Sequence, residues 1–212
     1  FATRSGTQPI FEEHEQNGVT WINIDGLHDT GLLQRIGDHF SIHPLVLEDI
    51  LNINQRPKIE YYDNYVFITL KMLYQEPQDL DQRANASPGS GVAGEIVSEQ
   101  VSVILGTGFV LSFQERPGDT FDPIRRRIET GKGRIRKMGP DYLAYSLIDS
   151  IVDNDFVLLE DFGDRLETLE EDIDSTANSE TAKRIHAMKR ELIGLRRAVW
   201  PLRELVGMMH RE

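Results

Sequence analysis

Apolar residues Ile148, Val152, Phe156, Leu159, Phe162, Leu166, Leu169 and Ile173 recur three or four positions apart. That spacing lays a continuous apolar stripe along a 3.6-residue period and predicts one long helix over Asp141–Asp174. At 1.5 Å per residue such a helix spans about 51 Å, which predicts that it projects from a globular body. Ser175–Ser179 reads as a tight polar turn, with Asn178 or Ser179 available as N-cap. A second helix follows, with Ile185, Met188, Leu192, Leu195, Val199, Leu202, Val206 and Met209 alternating by three and four as a coiled-coil seam. The short turn predicts that the two helices lie antiparallel. Pro201 removes one backbone hydrogen bond and predicts a kink.

Before residue 140 the pattern changes to short elements. Pro9–His14 and Val19–Ile24 read as strands paired across Gln16–Gly18. Leu32, Leu33, Ile36 and Phe40 define a short helix over Thr30–Phe40, and another starts at Pro44, a favoured first-turn residue, and stops at Arg56-Pro57. Lys58–Tyr74 is rich in β-branched and aromatic residues and reads as one strand. Gln75–Glu95 is polar and rich in Pro, Gly and Ser, and reads as a flexible loop. Val97–Leu105 and Phe109–Gln114 flank Gly106-Thr107-Gly108 as a hairpin. Phe121, Ile124 and Ile128 mark a further helix, followed by the basic segment GKGRIRKMG at 131–139.

Charge sharpens the picture of the two long helices. Eight carboxylates against the single cation Arg165 occupy residues 160–174, and negative charge near a helix C-terminus opposes the macrodipole. Lys183, Arg184, Lys189, Arg190, Arg196, Arg197, Arg203 and Arg211 supply the opposite sign on the second helix. Exposed pairs of this kind contribute a few tenths of a kcal/mol each, so they set register more than stability. The net charge of −12 argues against nucleic acid as a partner and suits cations. With no cysteine, disulfides, thiolate metal sites and cysteine nucleophiles are excluded. No transmembrane run or signal-peptide pattern occurs, and a start at Phe1 reads as a fragment of something longer.

Catalysis has little support: no Gly-rich phosphate loop, HExxH or serine elbow is present. His39 and His43 are spaced for metal ligation, but Ser41 and Pro44 break the helix between them and favour structural roles. The basic segment at 131–139, with Arg125, Arg126 and Arg127 upstream, reads as a solvated loop rather than a phosphate site. Glu48-Asp49 lies in an otherwise apolar helix, and Asp149 and Asp153 are one helical turn apart. A hard divalent cation would relieve their repulsion, although on pattern alone an ordinary solvated face accounts for them.

WINIDGLHD (Trp21–Asp29), IHPLVLEDILNINQRPKIEYYDNYVFITLKML (Ile42–Leu73), SEQVSVIL, FVLSFQE, DTFDPIRRRI, GRIRKMGPDYLAYSLIDSIVDNDFVLLE and MKRELIGLRRAVWPLRE (Met188–Glu204) occur in this order. Together they closely resemble the cytoplasmic region of the CorA family of magnesium channels, over nearly all of the chain except 75–95 and the first few residues. The resemblance implies an α/β fold: an α/β/α sandwich with a mixed sheet at 1–139, followed by a long antiparallel helical hairpin at 140–212. It implies no enzyme. It implies the Mg2+-sensing regulatory domain of a homopentameric channel for Mg2+, and also Co2+ and Ni2+, in the cell (inner) membrane. This piece would lie on the cytoplasmic side, and Mg2+ bound between identical subunits would close the pore. Glu48, Asp49 and Asp149 match the family's regulatory metal positions. The family's stalk helix, with a further site carboxylate, its Gly-Met-Asn pore signature and its membrane helices are expected beyond Glu212. A related Zn2+ transporter and an ion-independent coiled-coil module are the alternatives.

Overall fold

The computed structural model describes residues 18–75, 96–175 and 179–209. Five strands, β1 (Thr20–Asp25), β2 (Lys58–Tyr61), β3 (Tyr65–Gln75), β4 (Ile96–Gly106) and β5 (Phe109–Gln114), form one sheet in the order β1-β5-β4-β3-β2. β1 runs parallel to β5, with Thr20 opposite Phe109 and Asp25 opposite Gln114, whereas the other pairings are antiparallel. The sheet is therefore mixed, as expected. The strand proposed at Pro9–His14 and the loop after Gln75 lie outside the described residues, while β1 takes β5 as its neighbour.

The single strand expected over Lys58–Tyr74 is two strands. Asp63 and Asn64 are turn formers, and the Tyr62 N–H donates to the Tyr65 carbonyl at 2.9 Å to close a hairpin between β2 and β3. The hairpin between β4 and β5 is as read: Gly106 pairs with Phe109, and Gly108 takes a φ of 84° that a side chain would resist.

Helices cover both faces. α1 (Thr30–Phe40) and α2 (Pro44–Leu51) pack Leu33, Ile36, Val46, Leu47 and Ile50 against Phe67, Ile104, Leu111 and Phe113. α1 is capped by Asp29, whose Oδ1 accepts from the Leu32 N–H at 2.8 Å. The other face receives α3 (Asp122–Thr130), the first half of α4 (Pro140–Ser175) and the last part of α5 (Ser179–Met209). There Phe121, Ile124, Leu143, Leu147, Ile151, Leu202 and Leu205 meet Ile68, Leu70, Val101, Val103 and Val110. Farther along, α4 and α5 pack mainly on each other through Leu158, Phe162, Leu169, Met188, Leu195 and Ala198, joined by Leu73.

The buried line along the hairpin differs from the predicted stripe. On α4 it follows Ile148, Ile151, Asp155, Leu158, Phe162 and Leu169, whereas Phe156, Leu166 and Ile173 are exposed. On α5 it follows Met188, Leu195, Ala198, Leu202 and Leu205, whereas Ile185 and Leu192 are exposed. The apolar stripe is wider than one helix-to-helix seam, and the seam falls along one edge of it, with Ala198 among the buried residues. α5 continues through Pro201 as one helix.

Candidate metal centre

Glu48 and Asp49 sit on the last turn of α2. That helix starts where it does because Pro44 occupies its first turn and the His43 Nδ1 accepts from the Leu45 N–H at 3.2 Å. Capping uses this histidine, and His39 stacks edge-on against Phe40, so the pair is structural rather than ligating. Glu48 is exposed.

Asp49 is half-buried and engaged at both oxygens. Lys58 Nζ donates to Oδ2 at 2.6 Å, and Gln55 Nε2 donates to Oδ1 at 2.7 Å. Lys58 also reaches Glu60 Oε1 at 2.7 Å, and Glu60 Oε2 accepts from the Tyr62 hydroxyl at 3.1 Å. Burial works against the Lys58 charge, but its bonds to Asp49 and Glu60 prevail and raise its pKa above the ordinary value. Lys58 thus stands where a bound cation would stand between two carboxylates. Glu60 was not singled out from the sequence; its signal was the Lys58/Glu60 alternation, which puts both side chains on one face of a strand.

Asp149 projects from the solvent side of α4, exposed, with the Tyr145 hydroxyl donating to its Oδ1 at 3.2 Å. Its carboxylate is the main influence raising the Tyr145 pKa. Glu48 and Asp49 lie with the helices on one face of the sheet and Asp149 with those on the other. One chain therefore does not bring the three predicted residues together. Among the described residues no three His, Cys, Asp or Glu side chains are gathered as a metal ion would need. Mg2+ prefers to keep several waters, and exposed Glu48 and Asp149, on opposite faces of the sheet, do not form a cage for it within one copy.

Two other polar groupings are structural. Arg136 donates to the carbonyls of Ile128 and Glu129 at the end of α3, which gives the basic 131–139 segment a capping role. Asp119 takes two bonds from Arg125 as well as one from the Phe121 N–H and one from Gln114. Although burial opposes it, this set holds the Asp119 carboxyl below its usual range.

A mixed sheet covered on both faces and continued by a long charged helical hairpin with surface carboxylates defines the class: an α/β domain extended by a helical hairpin. Residues 16–212 match the CorA-like Mg2+ transporter protein family, and the chain belongs to that family. It is 49% identical over 205 residues to the cobalt/magnesium transport protein CorA of Thermotoga maritima, covering 97% of this chain and 54% of that one. The chain thus spans about half the length of that relative. The CorA magnesium transporter of Methanocaldococcus jannaschii has the same fold, with a TM-score of 0.71 at 17% identity over 91% of this chain and 55% of that one. So does the ZntB cytoplasmic domain of Vibrio parahaemolyticus, with a TM-score of 0.61 at 20% identity over 89% and 69%. Within the described residues no helix is long and apolar enough to cross a membrane.

Proposed function

We propose that this chain is the Mg2+-sensing part of a homopentameric CorA-type channel for divalent cations, Mg2+ first and also Co2+ and Ni2+. In this reading it lies on the cytoplasmic side of the cell membrane, and Mg2+ held between neighbouring copies at Glu48, Asp49 and Asp149 closes the pore. Membership of the family supports the transport setting. The observation that carries the sensing role is the placement of exposed Glu48 and Asp149 on opposite faces of one domain. In a ring, opposite faces of successive copies meet, so carboxylates too far apart within a chain can share one ion across a boundary.

Copies carrying a net charge of −12 repel one another. A bridging cation offsets that repulsion in the closed ring but not in a splayed one, and this differential affinity is what shifts the equilibrium. Binding through retained waters makes the sites weak, matched to an ion present at millimolar levels. Residues 1–139 act as sensor and 140–212 as lever. One hydrophobic core spans that boundary, since Leu143, Leu147 and Ile151 pack on the sheet, so movement of the sensor is passed to α4. An all-oxygen donor set without cysteine favours Mg2+ over Zn2+.

The test is flux through the full-length protein carrying this chain, reconstituted in liposomes, with Mg2+ titrated on the sensor side. Replacing Glu48 and Asp49 together by Ala should raise the half-inhibiting Mg2+ concentration about tenfold, equivalent to roughly 1.4 kcal/mol of lost coupling. Unchanged inhibition overturns the sensor assignment, and comparison of Mg2+ with Zn2+ flux decides the cargo.

A further inference from the structure

Residues 126–137 run against the charge of the rest of the chain. Arg126, Arg127, Lys132, Arg134, Arg136 and Lys137 stand there against Glu129 alone, in a protein whose net charge is −12. The path of this segment is fixed at two points. Arg136 donates to the carbonyls of Ile128 and Glu129, and Ile135, 7% exposed, inserts into the core shared by α3, α4 and the sheet. Gly131 and Gly133, at φ of 64° and 77°, reverse the chain before these ties. At about 3.5 Å per residue, no backbone between Glu129 and Arg136 reaches farther than about 12 Å from the last turn of α3. The cations are therefore gathered around the C-terminal end of that helix.

Most of them are not used by the fold. Arg136 caps the helix, and Arg125, one residue before the cluster, is engaged with Asp119 and Asp122. Arg126, Arg127, Lys132, Arg134 and Lys137 are exposed. Among the described residues none of these five side chains takes part in an ion pair or hydrogen bond, and Glu129 pairs with none of them. A helix C-terminus favours a cation or two beside its last carbonyls, and Arg127 and Arg136 meet that need. The other four add mutual repulsion that no carboxylate of the described chain relieves.

We propose that this cluster binds a soluble oligophosphate: the triphosphate chain of a nucleotide or its inorganic equivalent. The guanidinium forks of Arg126, Arg127 and Arg134 suit the paired oxygens of phosphate groups, and Lys132 and Lys137 add point charges. Linked phosphates concentrate several negative charges over a short span, which matches five cations held by one tight turn. Residues 126–139 contain no aromatic side chain, so no base is stacked and the phosphate chain itself is what is recognised. For the same reason, and because a net charge of −12 repels an extended polyanion, single-stranded nucleic acid fits poorly. Met138, 42% exposed, is the one exposed large apolar side chain of the segment, too little to anchor a peptide or to enter a bilayer. The site shares no residue with Glu48, Asp49 and Asp149 and is independent of the metal reading above.

Calorimetric titration of the chain in metal-free, low-salt buffer tests this, with tripolyphosphate, ATP, GTP and orthophosphate as ligands. Tripolyphosphate and both nucleotides should bind at about one per chain with dissociation constants within about threefold of each other, and orthophosphate about 100-fold more weakly. Arg134→Ala with Lys137→Ala should weaken tripolyphosphate binding about tenfold, with the helical circular dichroism signal retained. Arg126→Gln with Arg127→Gln should do the same, and either pair decides the matter where the other fails to fold. Lys189→Ala with Arg190→Ala, which removes the same charge from exposed positions of α5, should leave the affinity unchanged. Absence of saturable tripolyphosphate binding up to about 1 mM overturns the site, and an equal loss in the α5 pair overturns it by reducing the effect to net charge. Tighter binding to phosphatidylglycerol vesicles or to a single-stranded oligonucleotide than to tripolyphosphate, lost with the same substitutions, gives the patch to that partner and overturns the proposal.

Discussion

Among the described residues, Asp155 is the carboxylate pushed furthest from its ordinary behaviour. It is 3% exposed and occupies the buried line of α4 between Ile151 and Leu158, where neither carboxylate oxygen has a well-formed hydrogen bond and the Leu73 backbone offers only a weak one that partly opposes the effect of burial. Burial pushes its pKa from an ordinary 3.8 to about 7. The folded state therefore holds this proton to higher pH than the unfolded chain does. The associated stability is complete below about pH 4 and is lost as pH rises through about 7. We predict that Asp155→Asn removes this slope and raises the melting temperature at pH 8 by about 5 °C, with a smaller gain at pH 5. Thermal melts of both proteins across that range check it; parallel curves would show that Asp155 does not titrate in the fold.

Lys58 allows a second prediction at the same scale. Because its ammonium occupies the space between Asp49 and Glu60, Lys58→Gln should strengthen Mg2+ binding several-fold in calorimetric titration. Equal or weaker binding would place the ion elsewhere. The Glu48-Asp49 pair was conspicuous in sequence as charge in an apolar helix. Its occupied state was not, because Gln55, Lys58 and Glu60 reach it only after the chain has turned from α2 into β2.

Among elements, the hairpin separates two kinds of ion pair. Arg165–Glu191 is largely buried, with side chains 19% and 10% exposed, whereas Arg184–Asp172 is open to solvent at 46% and 47%. Removing one partner of a buried pair strands the other charge without water, although Asp161 at 3.6 Å partly compensates Arg165. Glu191→Ala should therefore cost about 2 kcal/mol in urea denaturation, and Asp172→Ala about 0.5 kcal/mol. Equal losses would mean that the hairpin is held by net charge rather than by this contact. Sequence anticipated helix existence, boundaries within two residues for α4, and the opposite charges of α4 and α5. It placed the seam along Ile185, Leu192 and Phe156, which remain exposed, because periodicity reveals an apolar sector but not which edge of it a neighbour covers.

At the level of the whole molecule, an acidic chain with surface carboxylates should respond to its counterion. A ligand that binds the folded state alone stabilises it by RT ln(1 + [L]/Kd). At ten times the dissociation constant this is about 1.4 kcal/mol, or roughly 3 °C for a chain of this size. Mg2+ should thus raise the melting temperature relative to EDTA by about that amount. Glu48→Gln with Asp149→Asn should abolish the rise. A shift that survives both substitutions, or that equimolar Na+ reproduces, would reduce the effect to screening.

Sequence by itself determined what acts over a few residues: the helical and extended periods, the helix start at Pro44, the glycine turn before Phe109 and the separation of charge along the hairpin. These are local because propensity, amphipathicity and capping depend on neighbours within one or two turns. Only the tertiary structure decided that β1 lies beside β5, that α2 and Asp149 sit on opposite faces of the sheet, and that Asp155 is buried while Phe156 is exposed. Those outcomes depend on which distant apolar surfaces exclude water from each other. Many pairings bury similar area, and the choice among them is made by the packing of the whole chain.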